Sequence, residues 1–549
     1  MTGGAVRRLE DRLRESGCLG DEALGLALRR AAERRVPLAV VLIEERLVEE
    51  AVLLPILAAH HGLAQVSLDQ VTVEDRAIKA VPAKLAAHYE ILPVRLDGST
   101  LTVAVWNPGD SRAADDLQAH LGLAVERVLA GRRDILDALR RFYGVGAGTV
   151  ARLLSEGGGA EIERRGEDSQ DLEQQAGDVS VIRLVNQLLQ EAIRDLATDI
   201  HFEARRDGVA VRRRIDGILF ETPVPKDLRL LYPAIVSRIK LMSGLDIVER
   251  RLPQDGRARV HLESAEYDLR VSVVPAQHGE DVVVRILPAV MLFDLGQLGF
   301  SAANRAAIEG YLARPHGLLF VTGPTGSGKS TTLYACLSRL NRPDRKVITI
   351  EDPIEYELRG LTQTQVNPPI GLTFGRALRS MLRHDPDVMM VGEVRDRETA
   401  EIAIQAAMTG HLVLSTLHTN DAAGAAVRLQ DMGIDPYLVV STVQVFMAQR
   451  LVRTLCVECR EPVADATGTR FRARGCKACR QTGYRGRVAI CELVDLAEPV
   501  RACILRKASS AEIRHEADRL GMETLAVDGL HKVEAGVTTE EEVRRVCLT

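Results

Sequence analysis

The chain has 549 residues, of which 46% are apolar, 27% are charged and 3% are aromatic, and its formal charge at pH 7 is −5. This length allows about three to four domains, each with a mainly aliphatic core. The negative charge argues against a nucleic-acid motor with a basic surface. We find no 18-residue apolar run and no leading secretion signal, so we expect a cytoplasmic protein that contacts a membrane only through partners.

Residues 1–144 are predicted to form an N-terminal α/β adaptor domain. Apolar residues recur with helical spacing over most of this region. A β-hairpin is predicted between Tyr89 and Val105, because Asp97-Gly98 separates two apolar runs. Catalytic groups are not evident in this region, and we interpret it as a domain that docks partners.

Residues 145–178 lose this periodicity and gather glycines and acidic residues. Such a composition cannot bury enough apolar surface to order itself, so a flexible linker is predicted. Residues 179–290 then show a helix from Val179 to Leu196, several alternating strands and a second helix from Leu231 to Ser243. This order predicts a small antiparallel α+β domain.

The last region, residues 291–549, begins with the order strand, glycine-rich turn and helix from Gly317 to Leu333. It contains the pattern G-x-x-x-x-G-K-[ST], whose backbone N–H groups cradle phosphates. Lys329 adds a positive charge, and Ser330 supplies a hydroxyl for Mg²⁺. The predicted nucleotide-binding residues are Gly323, Pro324, Thr325, Gly326, Ser327, Gly328, Lys329, Ser330 and Thr331.

Three polar residues follow the next predicted strands, at the edge where ligands of parallel sheets bind. Glu351 is the better candidate for activating the attacking water, and Glu393 serves the Mg²⁺ shell or polarises water. Gly392 stands where an Mg²⁺-binding Asp is usual. His418 is predicted to sense the γ-phosphate, the alternative being a structural histidine.

Four of the nine cysteines form two C-x-x-C pairs within a module spanning residues 450–495. The pairs are Cys456 with Cys459 and Cys476 with Cys479, and their spacing is typical of a tetrahedral Zn²⁺ site. Four thiolates leave no open position for water, so the zinc is predicted to be structural. A C-terminal helical segment, 496–549, follows.

These motifs together resemble the secretion ATPases that power type II secretion and type IV pilus assembly. The resemblance extends strongly from Val179 to Thr549 and loosely over 1–144. Four sequence motifs of this family, called the Walker A, Asp, Walker B and His boxes, occur here in matching order and carry the resemblance. The Ala197–His201 motif and the four cysteines add to the resemblance. The boxes are Gly323–Ser330, Ile350–Glu355, Arg383–Asp387 with Val391–Asp396, and Thr409–His411 with His418–Asn420.

The resemblance implies a RecA-like P-loop ATPase domain preceded by a PAS-like α+β domain, in a homo-hexamer that binds ATP, Mg²⁺ and Zn²⁺. It also implies that arginines of the small domain or of a neighbouring subunit complete the ATP site. The matching positions are Arg270, Arg285, Arg379, Arg383 and Arg487. The partners implied are the inner-membrane platform and docking proteins, without nucleic acid.

The implied function is ATP-driven assembly of pilin-like filaments in type II secretion. Type IV pilus assembly is the alternative, a RecA-type nucleic-acid motor is less favoured, and a nucleotide-binding scaffold without hydrolysis is a third hypothesis. Residues 1–144 resemble domains that bind cyclic dinucleotides in some relatives. The Arg-Leu-Gly opening used by such domains is not visible near Arg35-Val36-Pro37-Leu38, so partner docking is favoured.

Overall fold

A computed structural model describes residues 9–157, 178–262, 265–288, 293–465 and 468–547. The chain divides into two compact units, Met1–Pro288 and Ala289–Thr549. Among the helices of the described ranges, none is both long and apolar enough to cross a membrane.

The first part of the N-terminal unit packs helices around a four-stranded sheet of order β1-β4-β3-β2. The predicted hairpin is confirmed, because β2 and β3 pair in antiparallel fashion and Gly98 in the turn adopts a φ of +55°. The elements are α1 Leu9–Ser16, α2 Asp21–Arg34, α3 Leu38–Glu44, α4 Glu50–His61, β1 Ala64–Gln65, α5 Asp75–Ala80, α6 Ala83–Tyr89, β2 Leu92–Asp97, β3 Thr100–Val105, α7 Arg112–Leu121, β4 Ala124–Leu129 and α8 Arg132–Tyr143.

The predicted flexible linker, residues 145–178, is wrong in its first part. Residues Ala147–Gly157 form a helix, α9. Val145 and Val150 are buried in the hydrophobic core of the following α+β region, which explains why this segment is ordered. Residues 158–177 of the predicted linker lie outside the described residues.

The second part of the N-terminal unit is a six-stranded antiparallel sheet of order β7-β6-β5-β10-β9-β8, against which two helices pack. The helix predicted from Val179 is confirmed, and the side chain of Asp178 caps it by accepting the N–H of Ser180. The elements are α10 Val179–Arg194, β5 Ala197–Arg205, β6 Gly208–Ile215, β7 Ile218–Thr222, α11 Leu228–Met242, β8 Gln254–Leu262, β9 Ala265–Ala276 and β10 Gly279–Pro288.

The C-terminal unit is built on a seven-stranded sheet of order β13-β12-β14-β15-β11-β16-β19, parallel except for β19. Its first elements are α12 Ala302–Leu312, β11 Gly317–Thr322, α13 Lys329–Leu340, β12 Val347–Glu351, β13 Thr362–Gln365, α14 Phe374–Met381, β14 Val388–Val391, α15 Arg397–Met408 and β15 Leu412–Leu417. These are followed by α16 Ala422–Asp431, α17 Pro436–Thr442, β16 Val443–Leu455, β17 Arg460–Asp465, β18 Gly468–Ala473, β19 Tyr484–Asp495, α18 Glu498–Leu505, α19 Ser510–Arg519, α20 Leu525–Glu534 and α21 Glu540–Cys547.

Both faces of this sheet are covered, which is why its central strands are apolar along their whole length. Strands β11 and β15 are buried at every position. One face packs against α14, α15 and the C-terminal helices, and the other packs against α12 and α13. The carboxyl ends of β11, β12, β14 and β15 therefore share one edge, which carries the predicted site residues.

Candidate active site

The phosphate loop, residues 323–328, connects the end of β11 to the start of α13. Gly323, Gly326 and Gly328 have φ values of +147°, +80° and +86°, which side-chain-bearing residues rarely adopt. Ser327 is buried, and its Oγ has no hydrogen-bond partner among the residues that the structure describes. A buried, unpaired hydroxyl beside a helix N-terminus fits a loop that binds a phosphate anion.

Lys329 is the first residue of α13, and its Nζ donates to the carbonyl oxygens of Gly323 at 2.8 Å and Pro324 at 3.1 Å. Burial, assisted by the charge of Arg450 and opposed by that of Glu393, lowers the pKa of this ammonium to about 8. Lys329 is thus held over the loop. Ser330 and Thr331 follow it in the first turn of α13, where a phosphate and its Mg²⁺ would be held.

Glu393 and His418, predicted separately after two different strands, are brought together by the fold. His418 Nε2 lies 3.2 Å from Glu393 Oε2, and Arg395 Nη2 lies 2.5 Å from Glu393 Oε1. The Glu393 side chain is only 12% exposed, whereas that of His418 is 49% exposed. A carboxylate held between a cation and a histidine can polarise water, and the histidine can report on a charge that binds nearby.

Glu351 occupies a different environment from the one expected for a residue that activates water. It is 3% exposed, and its carboxylate accepts hydrogen bonds from Thr349 Oγ1 at 2.5 Å, from Gln363 Nε2 at 3.1 Å and from the Tyr334 hydroxyl. In this arrangement its oxygens are already engaged by protein donors. Glu393 is the more accessible of the two carboxylates, and the role of Glu351 stays a prediction.

The structure explains the glycine at position 392. A Cβ at this position would lie 3.3 Å from the carbonyl oxygen of Ile350 and 3.4 Å from the Cα of Glu351, so strand β12 leaves little room there. The first acidic side chain after β14 is that of Glu393, one residue later.

The five predicted arginines lie in different places. Arg270 and Arg285 are opposite each other on β9 and β10 of the N-terminal unit, and Arg285 Nε donates to Asp199 at 3.0 Å. Arg379 pairs with Glu398 at 2.7 Å, and Arg383 donates to the carbonyl oxygen of Arg379 at 2.9 Å. Arg487 lies on β19, opposite a residue of β16. Their roles at the nucleotide stay predictions.

The four predicted zinc ligands come together beyond the end of β16. Their sulfur atoms all lie within 4.8 Å of one another, and Cys456–Cys476, Cys459–Cys479 and Cys476–Cys479 are separated by 3.8, 3.6 and 3.7 Å. Four sulfurs about 2.3 Å from a central zinc would be about 3.8 Å apart, so the cluster fits a tetrahedral ion.

Backbone donors favour the thiolate form of one of these cysteines, Cys479, whereas burial raises the pKa of Cys456 and Cys459. Burial alone would raise the pKa of the Cys479 thiol, but N–H groups of Cys476 and Gly483 donate to its sulfur at 3.1 and 3.2 Å, and the pKa falls to about 7. A thiolate is the form that binds a metal. All four ligands are protein sulfurs, so a bound zinc would supply rigidity to this module and no open coordination position.

Two polar residues that the sequence analysis did not single out also belong to this region. Gln449 contacts the phosphate loop, and Arg450 Nη2 donates to the carbonyl oxygen of Asn420, two residues after His418. Both lie on β16 and are buried. The signal in the sequence was two adjacent polar residues within the apolar run from Val443 to Val452.

Comparison with known proteins places this site in a wider context. The chain matches the family model described as type II/IV secretion system protein over residues 174–545, and the MshEN domain model over residues 61–149. A type IV pilus assembly ATPase, PilB of Myxococcus xanthus, is 41% identical over 541 residues, which is 94% of this chain and 95% of that protein.

Further relatives come from type II secretion. The type II secretion system ATPase E of Vibrio cholerae is 45% identical over 494 residues, covering 86% of this chain and 97% of that protein. The type II secretion system protein E of Dickeya dadantii is 51% identical over 393 residues, covering 69% and 78%. Among solved structures, the ATPase DotB of Yersinia pseudotuberculosis has a similar fold, with a TM-score of 0.51, 22% identity, and coverage of 67% of this chain and 93% of that one.

Proposed function

The chain belongs to the type II/IV secretion system protein family and is an ATP hydrolase, and from this premise we propose that it drives assembly of pilin-like filaments in type II secretion. It does so as a homo-hexamer at the cytoplasmic side of the inner membrane, where it turns a platform protein. The observation that carries the proposal is the phosphate loop with Lys329 beside the Glu393–His418 pair, within a chain that matches this family over residues 174–545.

In the proposed mechanism, the phosphate loop binds the β- and γ-phosphates, and Ser330 would hold the Mg²⁺, which would neutralise part of their charge. Glu393 polarises the attacking water, and the 3.2 Å contact to His418 lets that histidine respond to the γ-phosphate. Arginines of the small domain or of a neighbouring subunit complete the site, and the candidates are Arg270, Arg285, Arg379, Arg383 and Arg487. When the γ-phosphate leaves, His418 loses its interaction with that phosphate. This loss starts a rigid-body movement of the domains.

The domain boundaries that we propose are an N-terminal docking domain, 1–144, an α+β domain, 179–290, against whose core residues 145–154 also pack, and the ATPase domain, 291–549. Zinc held by Cys456, Cys459, Cys476 and Cys479 would stabilise the module at 450–495. The match of residues 61–149 to the MshEN domain model supports a separate role for the N-terminal domain. We assign it to recruitment by an inner-membrane docking protein.

A second candidate is type IV pilus assembly. It is favoured by the Myxococcus PilB relative, because that similarity extends over 94% of this chain and includes the N-terminal domain. Both candidates use the same ATP site, so the site itself does not distinguish them.

An exchange of Lys329 in the source organism tests both candidates. Lys329→Ala should abolish export of type II substrates into the medium while surface pili persist, whereas Lys346→Ala, a change of an exposed lysine in the same domain, should export normally. Loss of pili with normal export would favour the second candidate. Normal export and normal pili, with equal amounts of the variant protein, would contradict the proposed function.

A further inference from the structure

Gln449 lies on β16 just beyond the point where this strand stops pairing with β11. The register pairs Ala448 with Thr322, the last residue of β11, so Gln449 stands beside the first residue of the phosphate loop. Side chains alternate between the two faces of a strand. Met447 packs into the core that also contains α13, and Gln449 therefore points to the same layer.

The amide group of Gln449 bridges the two ends of the turn from loop to helix. Its Nε2 donates to the carbonyl oxygen of Ser327 at 2.8 Å, and its Oε1 accepts the hydroxyl of Thr332 at 2.7 Å. Gln449 is 2% exposed and Thr332 is 1% exposed, so water does not compete for these bonds. The amide has one orientation, since reversing it would set Oε1 against the carbonyl oxygen of Ser327, and neither oxygen has a hydrogen to donate.

This contact fixes the direction of a peptide group in the loop. In a planar trans peptide the C=O and the N–H point in opposite directions. The carbonyl oxygen of Ser327 points to Gln449, so the N–H of Gly328, in the same peptide group, points away from Gln449. An N–H directed away from the strand and lying at the start of α13 is placed to donate to a phosphate oxygen.

Gln449 also accounts for two of the loop glycines. A Cβ on Gly323 would lie 2.6 Å from the carbonyl oxygen of Gln449, and a Cβ on Gly328 would lie 2.7 Å from its Nε2. The third glycine, Gly326, has no atom within 4 Å of such a Cβ. Gln449 therefore limits the space for a side chain at both ends of the loop. At position 326 only the positive φ disfavours a side chain.

We propose that Gln449 is a positioning residue that orients the phosphate loop for ATP. It acts through the Ser327–Gly328 peptide and makes no contact with the reacting atoms. The proposal rests on the proposed assignment of residues 323–330 as the ATP site. Removal of the Gln449 amide group should weaken nucleotide binding more than it slows the chemical step.

Gln444 provides a matched control. It lies on the same strand, is 9% exposed, and its Nε2 also donates to a backbone carbonyl, that of His316. This contact is at the opposite end of β16, before β11 begins. Gln444→Met removes one bond from a side-chain amide to a backbone carbonyl, whereas Gln449→Met removes a bond of this kind that reaches the phosphate loop and also the bond from Thr332.

The experiment measures KM and kcat for ATP, and Kd for a non-hydrolysable ATP analogue, on the purified full chain. Gln449→Met should raise KM and Kd on the order of tenfold with a smaller change in kcat, whereas Gln444→Met should change them by less than about twofold. Without nucleotide, Gln449→Met should lower the melting temperature at least as much as Gln444→Met, because it also removes the bond from Thr332. Equal KM and Kd for the two variants would overturn the proposal.

A second variant keeps the test decisive if Gln449→Met does not fold. Thr332→Val keeps the side-chain shape and removes only the donor to Gln449 Oε1, so Kd should rise by roughly threefold, and an unchanged Kd would refute the proposal. Lys329→Ala separates this inference from the function on which it rests. If Lys329→Ala hydrolyses ATP normally, the ATP-site assignment itself is wrong. If it is inactive while Gln449→Met behaves as wild type, only the role of Gln449 is wrong.

Discussion

The protonation of Lys329 should change when ATP binds, and the size of the change follows from its surroundings. Burial lowers the pKa of Lys329 to about 8, although the nearby Glu393 carboxylate opposes this shift. Its Nζ donates to two loop carbonyls, at 2.8 and 3.1 Å. Phosphate oxygens bound in the loop would place negative charge beside Nζ and return the pKa to or above its ordinary value of 10.5.

The expected proton uptake can be calculated from these two pKa values. At pH 9 about one Lys329 in ten carries a proton when the pKa is 8, and nearly all do when it is 10.5 or higher, so each bound nucleotide should take up about 0.9 proton. At pH 7 the same calculation gives about 0.1 proton. The phosphate ionises with a pKa of about 6, so at pH 9 it contributes almost nothing to the uptake.

Isothermal titration calorimetry measures this uptake directly. Binding of a non-hydrolysable ATP analogue with Mg²⁺ is titrated at pH 9 in two buffers with different ionisation enthalpies, and the difference in observed heat gives the protons bound. Lys329→Arg is the control, because a guanidinium keeps its charge at this pH and should show no uptake. Equal uptake by wild type and Lys329→Arg would refute the assignment of Lys329 to the bound phosphates.

Three further predictions concern catalysis, zinc and the C-terminal helix. Glu393→Gln should lower kcat by about 10²–10⁴-fold with ATP binding retained, while the exposed Glu401→Gln stays near wild type in a steady-state assay. Purified chain should contain one zinc, measured by mass spectrometry, and Cys479→Ser should lose it; zinc-free wild type would contradict the metal assignment. Burial raises the pKa of Glu542, but hydrogen bonds from Arg545 and Arg453 outweigh this effect and lower the pKa to about 2. Its stabilisation should therefore be complete above pH 4.5 and be lost as the pH falls towards 2. Glu542→Gln should lower the free energy of unfolding by about 3 kcal/mol in urea denaturation, against less than about 1 kcal/mol for the more exposed Glu540→Gln.

The sequence predicted those features that depend on local pattern. The strand before the phosphate loop, the strand ending at Val391 and the β-hairpin at Asp97-Gly98 are all present, because apolar runs and turn residues specify them locally. The grouping of the four cysteines also followed from their spacing.

Features that depend on packing between distant segments were not predictable in the same way. The 3.2 Å contact between His418 and Glu393 joins residues 25 positions apart, and it exists because β14 and β15 are neighbours in the sheet. The burial of Glu351 depends on Tyr334 of α13, which no local pattern reveals. The helix at 147–157 was missed because its stability comes from the core of the following α+β region.

Steady-state ATP hydrolysis by the purified full chain, with Mg²⁺, tests the central claim most directly. The account predicts turnover by the wild type and by Lys346→Ala, no measurable turnover by Lys329→Ala, and no stimulation by DNA. Turnover by Lys329→Ala equal to that of the wild type, or none by the wild type even with its inner-membrane docking partner, would contradict it.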